Sequence, residues 1–228
     1  MCRAHHRRVP EGMMDSASRT SSSRQPNYWQ SEYIAAALAG DRRRAWQVVS
    51  DALDAGLSVA SVYKDVLAWA QAEIGDCWAD SEISVAQEHM ASAVTQSVVA
   101  RLYAYIESER SRGCVLLGGV EGEEHVLPAQ LAADLLELEG WNVAFLGTNI
   151  PSEDFLKAIE DERPDVVGLS LTMAPDLPTA VTLIRDIRKR FGDLPIVLGG
   201  RAAAELREVA EDLDIEICDD LETFRREV

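Results

Sequence analysis

The chain has 228 residues, 47% of them apolar, and a formal net charge of −17. That is enough chain and enough apolar surface for one large domain or two small ones. The acidity disfavours direct nucleic-acid binding, which needs a basic stripe to neutralise phosphates, and no run of about 18 apolar residues is present to cross a membrane.

Residues 1–26 are rich in Ser and Arg, with five Arg against two acids, and are expected to be a disordered tail. Their basic start is not followed by an apolar stretch, so they do not read as a signal peptide. The four cysteines, Cys2, Cys77, Cys114 and Cys218, lie far apart and form no CxxC. They support neither a disulfide framework nor a zinc site, and a reduced, cytoplasmic protein is expected.

Residues 27–110 show helical periodicity without strand signals. One helix is predicted from near Asn27 to Leu38, stopping at Gly40, and a second from an Asp41 N-cap to just before Gly56. A third runs from Ser58 to about Trp78. A fourth starts at Ser84, with Gln87 completing a capping box, and reaches about Glu109. Four helices with short loops predict a four-helix bundle. Trp29, Trp46 and Trp69 fall at helical spacing and are expected in its core or at an interface.

From Gly113 the pattern alternates. Strands are predicted at 114–118, 142–146, 166–171, 196–198 and 214–217, and helices at 126–139, 152–161, 176–190, 202–211 and 221–226. Such β-α repeats over residues 113–228 predict a five-stranded parallel, flavodoxin- or Rossmann-like sheet. The acidic stretch from Glu205 to Glu222 reads as a solvated helix face. GxGxxG and Walker A patterns are absent, which gives a nucleotide-binding reading little support.

His125 sits where the first apolar run ends in glycines and acids: Gly118-Gly119-Val120-Glu121-Gly122-Glu123-Glu124-His125-Val126-Leu127-Pro128. Loops at the carboxyl ends of strands are where open α/β sheets bind ligands. One nitrogen of this imidazole can bind a metal while the other donates to a carboxylate such as Glu123, which fixes the tautomer. Taken by itself, the residue also fits a satisfied surface histidine.

A helical bundle followed by such a sheet, with a histidine in the first βα loop, resembles the cobalamin-binding modules of methionine synthase and the corrinoid methyltransferases. That family's lower-ligand motif, D-x-H-x-x-G, corresponds to Glu123-Glu124-His125-Val126-Leu127-Pro128. Its S-x-L or S-x-T motif corresponds to Ser170-Leu171-Thr172, and its G-G to Gly199-Gly200. The resemblance implies that His125 displaces the cofactor's base and ligates cobalt from below, with Glu123 on its other nitrogen. It also implies a hydrogen bond from Ser170 to the displaced base, room for the nucleotide tail at Gly199-Gly200, and Gly122, Glu124, Val126, Leu127 and Thr172 around the cofactor. Two departures bear on the loop. Glu123 is one methylene longer than Asp, which leaves open direct engagement, engagement through water, or none. Pro128 stands where the family has Gly, which a first helical turn accepts.

In the bundle, Trp78, Glu88 and His89 match W-x9-E-H. This resembles the cap of light-sensing adenosylcobalamin proteins of the CarH and LitR type. It implies Trp78 over the adenosyl group, with Val85 beside it and Glu88 and His89 on its ribose and adenine. A π face suits a flat base, and a carboxylate accepts from a diol. Read singly, Trp78 also fits core packing and Glu88 a first-turn acid at a helix dipole. Two features depart from those sensors. Ala79 stands where they carry a histidine that binds cobalt after photolysis, leaving water or His89 for the upper site. The DNA-binding domain that usually precedes the cap is not expected in the short tail before Asn27. The resemblance implies a sensor or binding protein more than an enzyme, acting through a protein partner such as a transcription regulator or through self-association. The alternatives are a corrinoid methyl carrier serving a methyltransferase, and a regulator that reports cobalamin independently of light.

Overall fold

The structure, a computed structural model, describes residues 27–220 and Thr223. The predicted tail, 1–26, and the predicted helix at 221–226, apart from Thr223, lie outside the described residues.

The helical half starts with α1 (Tyr28–Leu38), closed by a reciprocal capping box between Asn27 and Gln30, and α2 (Arg42–Asp54), capped by the Asp41 carboxylate. Ser58 caps α3 (Val59–Ser61), which continues through a π-helical segment (Val62–Ala68) into α4 (Trp69–Ala79). The single helix predicted there therefore forms, with a π segment that periodicity does not reveal. Helix α5 (Val85–Leu102) opens on the predicted Ser84–Gln87 box. Ser84→Ala is expected to cost about 1 kcal/mol, read as a lower urea midpoint with an unchanged slope.

One boundary differs clearly from expectation. Helix α5 ends at Leu102 and gives way to a short 3-10 turn (Tyr103–Tyr105), not to a helix reaching Glu109. Tertiary hydrogen bonds capture the connecting segment. Tyr103 donates to Glu137 (2.7 Å), Ser108 Oγ to the Glu137 carbonyl, and the amides of Ser111 and Arg112 to the Gly140 carbonyl.

The sheet half holds β1 (Cys114–Gly119), α6 (Val126–Leu138), β2 (Asn142–Phe145), α7 (Ser152–Glu162), β3 (Val166–Ser170), α8 (Leu177–Phe191), β4 (Ile196–Gly199) and β5 (Glu216–Cys218). All pairings are parallel, in the order β2-β1-β3-β4-β5. Two expectations near the end are corrected. The segment predicted as a helix at 202–211 is mostly 3-10 (Arg201–Val209), followed by α9 (Ala210–Leu213). The last strand starts at Glu216 instead of 214, because Asp214 adopts φ +53 and closes α9.

Helix α6 is the common wall of the molecule. Ala132, Ala133 and Leu136 pack on the sheet with Val115, Leu117 and Trp141. Leu127, Leu131 and Leu135 belong to the core of the helical half, with Tyr63, Leu67 and Val98. A helix apolar nearly all round must be buried on both sides. Each buried leucine is worth roughly 2 kcal/mol, which docks the two halves firmly. Trp29, Trp46 and Trp69 are partly buried against that core, as expected.

Candidate functional site

Strands β1 and β3 are adjacent although β2 separates them in sequence, so the chain leaves their carboxyl ends towards opposite faces. Parallel sheets bind ligands at this switch point. Gly119 lets the chain turn there: a side chain on it would run into Thr148 and Glu123. Gly122 has φ +97, its amide donates to Asn149 Oδ1 (2.9 Å), and a side chain on it would press on Asp176.

The next turn carries the chemistry. His125 is the N-cap of α6, with its ring partly exposed. Its Nδ1 meets Glu123 Oε1 at 2.6 Å, and its amide donates to the same oxygen at 2.7 Å. The second oxygen, Oε2, accepts from the Thr172 amide at the end of β3. The longer Glu123 side chain thus engages the imidazole directly. Glu123 is fully buried. Burial pushes its carboxyl up, but hydrogen bonds from the His125 ring and from the His125 and Thr172 amides outweigh it and hold the carboxyl below the usual range. The carboxylate raises the pKa of His125 against the opposing effect of burial. A carboxylate on Nδ1 selects the tautomer that leaves Nε2 as the open lone pair.

Beneath this relay, Ser170 Oγ and Thr172 Oγ1 are buried and have no hydrogen-bond partner. Buried hydroxyls are nearly always paired, so these two orphans, on residues flanking Leu171 at the end of β3, call for a partner from outside the chain. The next turn belongs to Gly199 and Gly200. Gly200 has φ +107, and a side chain there would collide with the Leu171 backbone. Arg201 then pairs with Asp76 of α4 at 2.5 Å, joining this turn to the helical half.

Across the site, the last turn of α4 carries Trp78, which is 39% exposed despite its size. Val85, Glu88, His89 and Ser92 share one face of α5 by their spacing. Glu88 binds His89 Nδ1 through Oε2 and accepts from Ser92 Oγ through Oε1 (2.6 Å). Its charge also contributes to the raised pKa of His125, so the two sides stand within electrostatic reach. The structure therefore brings Glu88, Glu123, His125, Ser170, Thr172 and Gly200 into one region, with Trp78, Val85 and His89 exposed on its helical side. Glu124 and Gly122 are exposed at the loop rim, and Val126 is half-buried. Leu127 is buried against the helical core on the α6 wall. The sequence pattern missed the Thr172 amide, Gly119 and Ser92. Only Gly119, half of a glycine pair ending an apolar run, carried a readable signal.

A family described as a B12 binding domain matches residues 113–223, and a second family of the same description matches residues 29–103. The chain is 34% identical over 195 residues to the HTH-type transcriptional repressor CarH of Myxococcus xanthus, covering 83% of this chain and 63% of the repressor. It therefore spans less than two thirds of that relative. It is 22% identical over 153 residues to the trimethylamine corrinoid protein of Methanosarcina barkeri, covering 65% of this chain and 70% of that one. The monomethylamine corrinoid protein of Methanosarcina barkeri superposes with a TM-score of 0.75 at 16% identity, over 85% of this chain and 93% of that one, which shows a shared fold. Among the described residues, no helix is long and apolar enough to cross a membrane.

Proposed function

The chain belongs to the B12-binding-domain proteins, and from that premise we propose that it holds adenosylcobalamin between its helical and sheet halves and responds to light. The carrying observation is the relay Thr172 N–H to Glu123 to His125, standing over the two orphan hydroxyls of Ser170 and Thr172. A bare ion needs three or four side-chain donors. One imidazole with an open Nε2 suits a cobalt that arrives inside its own macrocycle. The orphan hydroxyls suit the nitrogens of the cofactor's displaced base, and the side-chain-free turn at Gly199-Gly200 suits its nucleotide tail.

In this reading His125 ligates cobalt, and Glu123 holds the ring in the ligating tautomer. Trp78, Val85, Glu88 and His89 cover the adenosyl group. When bound, the cofactor supplies a cobalt–carbon bond that visible light cleaves. The chain's own residues position it, shield it, and convert loss of the upper group into a change of packing between the halves. Docking at α6 is fixed by buried leucines, so that change falls at the opposite edge, where Trp78 is exposed and Arg201 meets Asp76 through a single ion pair. The readout is a partner protein such as a transcription regulator, or a second copy of the chain.

The test is an absorption spectrum of the adenosylcobalamin-loaded protein before and after green light. A light-driven shift with isosbestic points is expected; a spectrum that green light leaves unchanged rejects light sensing. The likeness to the trimethylamine corrinoid protein favours a second reading, a methyl carrier serving a methyltransferase. That reading requires tighter binding of methylcobalamin than of adenosylcobalamin. A regulator that reports cobalamin without photochemistry would bind its partner equally in light and dark.

A further inference from the structure

The carboxylate of Glu88 is tied to a file of side chains that runs away from the site into the helical core. Ser92 Oγ lies 2.6 Å from Glu88 Oε1 and 3.1 Å from the Gln71 carboxamide on α4. The other end of that carboxamide is 2.7 Å from Thr95 Oγ1, which in turn lies 3.0 Å from the Tyr33 hydroxyl of α1. Thr95 and Tyr33 are fully buried. The file therefore begins in the dry interior, crosses α1, α4 and α5, and ends on the one acidic side chain that α5 turns towards the site.

Proton counting orders this file. A serine hydroxyl has one proton, and an ionised carboxylate can only accept, so the Ser92 proton goes to Glu88. Ser92 Oγ is then an acceptor towards Gln71, and the carboxamide must present its N–H₂ there and its oxygen to Thr95; a half-turn of the amide sets this without moving a heavy-atom position. Thr95 accepts from Tyr33, and its one proton is shared between that oxygen and the Ala91 carbonyl, 3.1 Å away. Burial holds the Tyr33 phenol far above its ordinary range, so it keeps its proton. Tyr33 then donates to Thr95, and at the site end the Gln71 N–H₂ and the Ser92 hydroxyl both point towards Glu88. With His89 Nδ1 on the second oxygen, both oxygens of Glu88 are held.

We propose that Gln71 and Ser92 are positioning residues that fix the Glu88 carboxylate for a ligand carrying a diol, and so set the preference for adenosylcobalamin over methylcobalamin. Gln71 does this from a different helix, through Ser92. The inference rests on the reading of Glu88 as the contact to the adenosyl group. A carboxylate locked before binding loses little rotamer entropy on meeting a diol, whereas a methyl group gives it nothing to bind. Releasing the lock therefore penalises only one form of the cofactor.

The experiment compares the affinities of adenosylcobalamin and methylcobalamin for the full chain in the dark, with the thermal midpoint of the cofactor-free protein recorded in parallel. Gln71→Leu and Ser92→Ala are expected to weaken adenosylcobalamin roughly tenfold, the scale of one hydrogen bond to a charged group. Methylcobalamin should stay within about twofold on the same scale. Ser92 is only half-buried, so its alanine variant keeps the test valid if Gln71→Leu folds poorly. Equal weakening of both forms, or no change in either, overturns the proposal. Glu88→Gln separates the two levels. If Glu88→Gln changes the ratio while Gln71→Leu and Ser92→Ala do not, the positioning role alone is overturned. If Glu88→Gln also leaves the ratio unchanged, both the positioning role and the adenosyl contact at Glu88 are overturned.

Discussion

Replacing His125 with alanine is expected to abolish axial nitrogen ligation and to weaken cobalamin binding by more than the 10–100-fold that loss of a ligand's supporting partner typically costs. The imidazole is the ligand proposed from the β1 loop, and its geometry is over-determined: Glu123 bonds both its ring and its amide, and Thr172 holds Glu123. The fold should survive, because the His125 ring is partly exposed and its amide still donates to Glu123. Paramagnetic resonance of the loaded protein, reduced to cobalt(II), reads the outcome. Nitrogen superhyperfine splitting from the axial imidazole is expected in the wild type and absent in the variant. An unchanged signal in the variant would refute ligation by His125. Glu123→Gln should lie between the two, with weaker binding and the nitrogen signal retained, because an amide oxygen still accepts from Nδ1 while the charge is lost.

Much of the fold was legible because local chemistry and tertiary packing agree. Asn27, Asp41, Ser58 and Ser84 each cap the helix that their side chains predict. The central strands, buried on both faces, read as apolar runs. Legibility failed where the deciding partner is far away in sequence. The fourth helix stops at Leu102 because the Glu137 and Gly140 carbonyls, more than 25 positions on, capture the following segment. Within the site, His125 and Glu123 were readable as side chains in a loop, but the Thr172 amide was not, since a backbone donor leaves no mark on the residue pattern. The packing of Leu127 was hidden for a related reason: α6 has two buried faces, and periodicity does not say which meets the sheet and which meets another helix. Gln71 was invisible because its partners lie 21 and 24 positions away on another helix.

The α6 wall also contains a group whose ionisation opposes folding. Asp134 is buried between the halves, where it accepts a 2.8 Å hydrogen bond from Tyr63 of the π-helical segment. Burial raises its pKa from 3.8 to about 6; the Tyr63 bond works against this, and the nearby Glu137 charge adds to it. The Tyr63 phenol, pushed far up by its own burial and by Asp134, stays a donor throughout. A carboxyl whose pKa is raised by folding binds more protons in the native state than in the unfolded one across that interval, so stability falls as pH rises from about 4 to about 6. The ionised group then carries a penalty of up to about 3 kcal/mol above that window, at roughly 1.4 kcal/mol per pKa unit. Asparagine keeps an oxygen for Tyr63 and cannot ionise. Asp134→Asn is therefore expected to stabilise the cofactor-free protein at pH 7.5, with the gain shrinking through pH 6 and gone below pH 4. Urea titrations of both proteins at four pH values test this, and taking the difference cancels groups such as Glu123 whose lowered pKa gives the opposite slope. A gain that does not vary with pH, or a variant less stable at neutral pH, would mean that Asp134 is solvated or paired well enough to ionise without cost, and that the wall between the halves is wetter than its leucines imply.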